Sequence, residues 1–447
     1  MKKSNARELA VETLTAIEKN QAYSNLLLNS TIQKSTMPPK DVALYTELVY
    51  GTLQRKLTLD YFLKPFTVKA KKMELWVKVL LRLSLYQMIY LDRIPERAIF
   101  FEAVELSKRK GHKGIAGFVN GVLRAIQREG VPSFGEIKDP VERLAVETSH
   151  PLWLVRKWVS QFGIEETRKM CEVHLKAPSA SARVNRMRMT PAEAISSLQE
   201  ESIEADKGLL AEDAVAFTKG NISKSRLFKE GLLSIQDESS MLTARALQPL
   251  ENEIVLDACA APGGKSTHLA ELMNGTGKVI SLDLHPHKVQ LIADQAERIG
   301  LNNIVPEVMD AREAGEKLQK REFDKILVDA PCSGFGVIRR KPDIKYAKNA
   351  EDVKKLSRIQ REILESVSRL LKKGGTLVYS TCTVDKEENE EVIADFLAAH
   401  PEFEEDTDLN LYLPEKVHPY IKGGKLQILP HYFETDGFFI TRLKKKV

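Results

Sequence analysis

The chain has 447 residues, 43% hydrophobic and 29% charged, which is too long for one ordinary core at ~100–200 residues per domain and too polar for a bundle of membrane spans. No apolar run reaches the ~18 residues a membrane helix needs. Four cysteines (Cys171, Cys259, Cys332, Cys382), none in C-x-x-C spacing, exclude a disulfide framework and argue against a zinc site.

The net charge of +5 is unevenly spread, with 24 basic against 16 acidic residues over 1–150 and 29 against 33 over 251–447. A basic front half on a slightly acidic rear half suits contact with a polyanion. The start, Met1-Lys2-Lys3-Ser4-Asn5, has no apolar core or cleavage site, so cytoplasmic residence is expected.

Residues 1–145 read as helical. Ala6, Leu9, Ala10, Thr13 and Ile17 share one helical face. Leu75–Leu91 is a long apolar helix with Pro95 just beyond it, followed by Ala98–Lys108 and Ile115–Ile126, with Gly111 and Gly114 between them. Short-linked helices imply a small bundle. Gly130, Pro132, Gly135 and Pro140 mark a linker over about 130–150. A small α+β module is expected over 150–240, with strands at Ser181–Asn185 and Leu232–Gln236 and a helix Pro191–Glu200 capped by Thr190. Arg183, Arg186 and Arg188 would form an RNA-facing edge of that module.

From 241 to 447 strand and helix alternate. Strands are expected at Ile254–Asp257, Val279–Leu284, Ile304–Asp310, Lys325–Asp329 and Thr376–Ser380. Helices are expected at Ser266–Met273, Pro286–Ile299, Asp352–Leu371 and Lys386–Ala399, with Gly374-Gly375 ending the third of these four before the last strand. Such alternation calls for a Rossmann-like, doubly wound parallel sheet. Leu426–Leu429 and Gly437–Leu443 would close its edge.

The chemistry sits at strand ends. Cys259-Ala260-Ala261-Pro262-Gly263-Gly264-Lys265 follows the first strand and opens a helix, a place where backbone N–H groups meet a ligand. A phosphate-binding G-x-x-x-x-G-K-[ST] loop fails there, because Cys259 holds its first glycine position, and G-x-G-x-x-G is absent. Asp283, Asp310 and Asp329 end three successive strands. A carboxylate-lined slot suits a ribose and a cation better than a triphosphate, which points to S-adenosylmethionine. Asp329-Ala330-Pro331-Cys332-Ser333-Gly334 and Ser380-Thr381-Cys382 then bring two thiols and a carboxylate towards one crevice. Arg339-Arg340-Lys341, just after, would contact phosphates at its mouth.

These blocks together resemble the RNA (cytosine-5) methyltransferases of the NOP2/Sun family over about 235–445. The front half resembles the NusB-like RNA-binding domain found in bacterial small-subunit rRNA members. The resemblance implies three parts: 1–145 NusB-like, 150–240 an RNA-binding module, and 241–447 an S-adenosylmethionine-dependent methyltransferase domain. It also implies 16S rRNA as the substrate; a monomer is the default expectation, with no DNA, membrane, metal or obligate protein partner expected. By the same resemblance Cys382 is the nucleophile, Cys332 assists product release, Asp329 bridges cofactor and base, and Lys265 orients the Asp329 carboxylate or the cytosine. The chemistry suits these groups. Carbon 5 of cytosine is a poor nucleophile, and thiolate addition at carbon 6 activates it; a base must then remove the carbon-5 proton. Residue chemistry alone does not rank the two thiols. A tRNA substrate, a P-loop ATPase and an inactive RNA-binding factor are the rival readings.

Overall fold

A computed structural model of the chain describes residues 5–447 apart from Gln21, Lys69 and Lys71; the leader reading of residues 1–4 lies outside them. Two compact units emerge. One comprises residues up to Lys176 together with Ile338–Lys348, and the other Ala177–Val337 with Asn349–Val447. Among the described residues no helix is long and apolar enough to cross a membrane.

The first unit is all-helical. Its apolar faces close over a core that includes Tyr45, Leu48, Leu59, Leu80, Leu81 and Leu123, all fully buried or nearly so. The helices Leu75–Tyr90, Glu96–Lys110 and Lys113–Glu129 match the expected periodicities. The expected linker is not one. Residues Pro140–Glu147 form a helix capped by Asp139, and Thr58 donates to the Val146 carbonyl at 2.6 Å. The prolines and glycines there start and stop short elements. The segment Ile338–Lys348 packs in this unit too. Lys345, fully buried, donates to the Gln54 carbonyl at 2.9 Å, and Tyr346 meets the Ser149 hydroxyl at 2.9 Å.

The second unit holds two sheets. Strands β1 (Ala180–Val184), β2 (Glu204–Lys207), β3 (Ala214–Lys219) and β4 (Leu233–Ile235) form a small antiparallel sheet in the order β2-β3-β1-β4. The helix Pro191–Glu200 starts on a capping box of Thr190 and Glu193, as its sequence dictates. Arg183 corrects the RNA-facing reading. It is fully buried, while Arg186 and Arg188 are exposed.

The large sheet contains β5 (Ile254–Asp257), β6 (Lys278–Asp283), β7 (Ile304–Val308), β8 (Phe323–Asp329), β9 (Leu371–Thr381), β10 (Phe403–Glu405), β11 (Ile421–Lys422), β12 (Lys425–Ile428) and β13 (Phe438–Lys445). Its order is β11-β12-β13-β9-β8-β5-β6-β7, with β10 beside β13. The run from β7 to β9 is parallel, and β13 returns antiparallel to β9. The inner parallel strands β5, β6 and β8 are mostly buried, apolar-rich runs, whereas the edge strand β7 is only partly buried. Chain order reverses between β5 and β8, the switch point at which such sheets bind ligands.

Gly374-Gly375 does not end a helix as expected. The helix Ala350–Ser368 stops earlier, and the glycines lie within β9. The register slips there, with Phe323 opposite Leu371 but Lys325 opposite Thr376, which is where glycine serves a bulge.

Candidate active site at the switch point

The turn after β5 runs from Cys259 to Lys265. Gly263 takes φ +103°, and a Cβ there would lie 3.1 Å from Ile292 Cα, so only glycine lets the turn pack onto the helix Pro286–Ile299. The helix Gly264–Leu272 begins directly after it, which delivers Lys265 towards β8. Lys265 Nζ lies 2.8 Å from Asp329 Oδ2, and Ser380 Oγ donates to Asp329 Oδ1 at 2.8 Å. Asp329 and Ser380 are register partners on β8 and β9.

Just past these strand ends the two thiols meet, with Cys332 Sγ 3.4 Å from Cys382 Sγ. The backbone holds them there. Gly336 N–H donates to the Cys382 carbonyl and Gly437 N–H to the Gly336 carbonyl, both at 2.9 Å. A Cβ on Gly336 would fall 1.9 Å from the Gly437 oxygen, so this crossing requires glycine.

A cleft of about 270 Å³ opens over the site, its walls including Cys259, Ala260, Ala261, Pro262, Gly264, Lys265, Asp329 and Cys382. Among the residues placed at the site by sequence, those eight line it, and Cys332 joins through Cys382. The sequence reading missed its other walls, among them Gln236, Asp237, Asp436 and Phe438. Their signal is weak, because they come from a loop before a helix and from the start of β13. Gly263 shapes the turn from behind. Asp283 and Asp310 are not among the lining residues. Asp310 does not end β7, which stops at Val308. It caps the short turn Ala311–Glu313, and Arg312 Nη2 holds its carboxylate at 2.6 Å. That hydrogen bonding from Arg312 keeps the Asp310 carboxyl below its ordinary range.

Charge differentiates the groups. Burial, and then the carboxylates of Asp257, Asp329, Asp283 and Asp310, push the Cys259 thiol well above its ordinary value. These surroundings favour the protonated thiol at Cys259. Burial also raises the Asp257 carboxyl to about 7, against the hydrogen bond from Ser266 Oγ at 2.7 Å. Burial opposes the Lys265 ammonium, but Asp329, Cys382 and Asp257 outweigh it and keep Lys265 above the usual lysine value. For Cys332, the hydrogen bond with Cys382, then burial, then Cys382, Glu388 and Asp329 push the thiol well upward. A cation thus faces Cys382 and a carboxylate faces Cys332. The two adjacent thiols sit in different electrostatic surroundings.

A glycine-rich turn after the first parallel strand, a switch-point cleft and an antiparallel final strand define a Rossmann-like methyltransferase domain. Residues 244–444 match the family described as 16S rRNA methyltransferase RsmB/F, residues 4–128 the NusB family, and residues 150–222 an RsmF/B-like ferredoxin-like domain. The chain is 59% identical over 446 residues to the probable ribosomal RNA small subunit methyltransferase B of Bacillus subtilis, covering 100% of both chains. It is 35% identical over 454 residues to the ribosomal RNA small subunit methyltransferase B of Klebsiella pneumoniae, again covering 100% of both. The crystal structure of PH0851 superposes with a TM-score of 0.84 at 27% identity, covering 100% of both chains. This chain belongs to the ribosomal RNA small subunit methyltransferase B family, and it is an RNA methyltransferase.

Proposed function

We propose that the enzyme methylates carbon 5 of a cytosine in 16S rRNA through a covalent thiol adduct, using S-adenosylmethionine. The observation that carries this reading is the 3.4 Å pairing of Cys332 and Cys382 beside the Lys265–Asp329 ion pair. The donor set also fits the cofactor. Carboxylates gathered around Cys259, Asp283 and Asp329 among them, suit ribose hydroxyls and a sulfonium, and the turn from Cys259 to Lys265 lines the cleft floor with small residues. When bound, S-adenosylmethionine supplies the methyl group. Asp310, which also acts on Cys259 and carries Arg312 on its outer side, belongs to the same proposed set.

In this reading Cys382, facing the Lys265 ammonium, adds as thiolate to carbon 6. Asp329, held by Lys265 and Ser380, hydrogen-bonds the ring and bridges it to the cofactor. Carbon 5 takes the methyl group, Cys332 gives its own proton to solvent in the cleft and as thiolate takes the carbon-5 proton, the carbon 5–carbon 6 double bond re-forms, and the carbon 6–sulfur bond breaks to free Cys382. The NusB-like front and the ferredoxin-like module carry the RNA, with the chain acting as a cytoplasmic monomer. The target base has to leave its stack to reach the thiol.

The test is transfer from labelled S-adenosylmethionine to deproteinised 16S rRNA and to bulk tRNA, with bisulfite sequencing of both. One protected cytosine in 16S rRNA that vanishes with Cys382→Ala, and a gel-shifted protein–RNA adduct that accumulates with Cys332→Ala, are the expected results. Signal confined to tRNA overturns the substrate. Robust methylation by Cys382→Ala overturns the mechanism.

A further inference from the structure

Behind the Cys332 loop lies a carboxylate that the chemistry above does not use. Glu388 is fully buried. Its Oε1 accepts from the Ser333 N–H at 2.8 Å and from Gln360 Nε2 at 3.1 Å, and Gln360 also donates to the Pro331 carbonyl at 2.9 Å. The residues on both sides of Cys332 are thereby tied to Glu388. Ser333 Oγ and Thr383 Oγ1, 2.9 Å apart, join the same loop to the Cys382 strand. Glu388 Oε2 is buried and has no hydrogen-bond partner among the described residues. A loop needs neither a carboxylate nor its unused oxygen to stay in place; a glutamine would supply the one acceptor that Ser333 uses. Burying this carboxyl unpaired is costly, and burial accordingly raises it to about 7.

We infer that Glu388 is the positioning residue that makes Cys332 the base of the release step. It acts through Cys332 in two ways. It fixes the loop through Ser333 and Gln360, and its charge keeps Cys332 from ionising early and competing as a nucleophile, while making the thiolate, formed when the thiol gives its proton to solvent, a stronger acceptor of the carbon-5 proton. The inference rests on the covalent mechanism proposed above. The ionisable groups around the pair are Cys382, Asp329 and Glu388 facing Cys332, Asp385 facing Glu388, and the buried Tyr379, which both of them face. Lys265 acts on the Cys382 side.

The experiment compares Glu388→Gln, Glu388→Asp and Cys332→Ala in the full-length enzyme with 16S rRNA, resolving the first methyl transfer from product release. Glu388→Gln should leave the first transfer within about threefold but slow release by at least about tenfold, with adduct building up. The pH at which half of Cys332 is alkylated by iodoacetamide, read by peptide mass spectrometry, should move down. Glu388→Asp should restore part of both. Unchanged release and an unmoved Cys332 alkylation profile in Glu388→Gln overturn the inference, as does an equal loss of transfer and release. If Glu388→Gln does not fold, Gln360→Leu replaces it; it leaves the charge in place, so slow release with an unmoved alkylation profile is expected, and normal release overturns the positioning role. Failure of Cys332→Ala to trap adduct faults the covalent reading itself, whereas trapping there without any Glu388 effect faults only this inference.

Discussion

Arg183 offers the sharpest test of how the small sheet is joined to the catalytic sheet. Its side chain is 0% exposed and that of its partner Glu271 is 6% exposed. Nε and Nη2 reach the two Glu271 oxygens at 3.1 and 2.9 Å, Nη2 also donates to Thr267 Oγ1 at 3.1 Å, and Nη1 donates to the Gly264 carbonyl at 3.0 Å and to Gln236 Oε1. Arg183→Met fills similar volume but strands the Glu271 carboxylate and the Gly264 oxygen. Removing one partner of a buried pair costs ~3–5 kcal/mol. At ~2–4 °C per kcal/mol for ~150–250 residues, the unit should melt ~6–20 °C lower. The three tryptophans, Trp76, Trp153 and Trp158, all belong to the helical unit, so their fluorescence reports that unit and calorimetry is needed for the other. The transition without a tryptophan signal should move, and the one with it should stay. Replacing both charges, Arg183→Met with Glu271→Leu, should recover most of the loss, because the desolvation cost goes with the charges. A single-variant loss below ~1 kcal/mol, or a double variant as unstable as the sum of the singles, would refute the reasoning.

Gly336→Ala should push the Cys332 loop away from the Gly437 oxygen and part the two thiols; kcat for methyl transfer should fall at least about tenfold with a stability loss of ~1–3 kcal/mol, measured by single-turnover transfer and urea unfolding. Asp257 gives a pH signature. Its folded pKa, raised to about 7, exceeds the ordinary carboxylate value, so the folded state holds the extra proton and stability falls as pH rises from about 4 to about 7. Asp257→Asn imitates the protonated form and should flatten that fall by ~2–4 kcal/mol in urea titrations run across this range; an unchanged slope counts against the buried acid.

Much of this protein is local and therefore written in the sequence. The apolar strand runs, the Thr190 capping box, the turn around Gly263, and the Asp329–Gly334 and Ser380–Cys382 blocks each depend on neighbours a few residues away, and sequence reading placed them at strand ends that the sheet then brings together. Charged side chains behave differently. Arg183 reads as a surface arginine because its partner Glu271 lies 88 residues on, and no periodicity encodes that meeting. Glu388 reads as one more acidic residue at a helix start, until the fold lays it behind Cys332. Asp310 reads as the end of a strand, but β7 stops at Val308, and the residue caps the next turn and pairs with Arg312 two residues later. The glycines at 374 and 375 carry the same local signal for a helix end and for a bulge, and the register of β9 on β8 decides between them. Likewise Cys332 and Cys382 are chemically identical in the sequence. Only the tertiary structure sets an ammonium against one and a carboxylate against the other, because electrostatic roles depend on distance in space, which the order of residues along the chain does not fix.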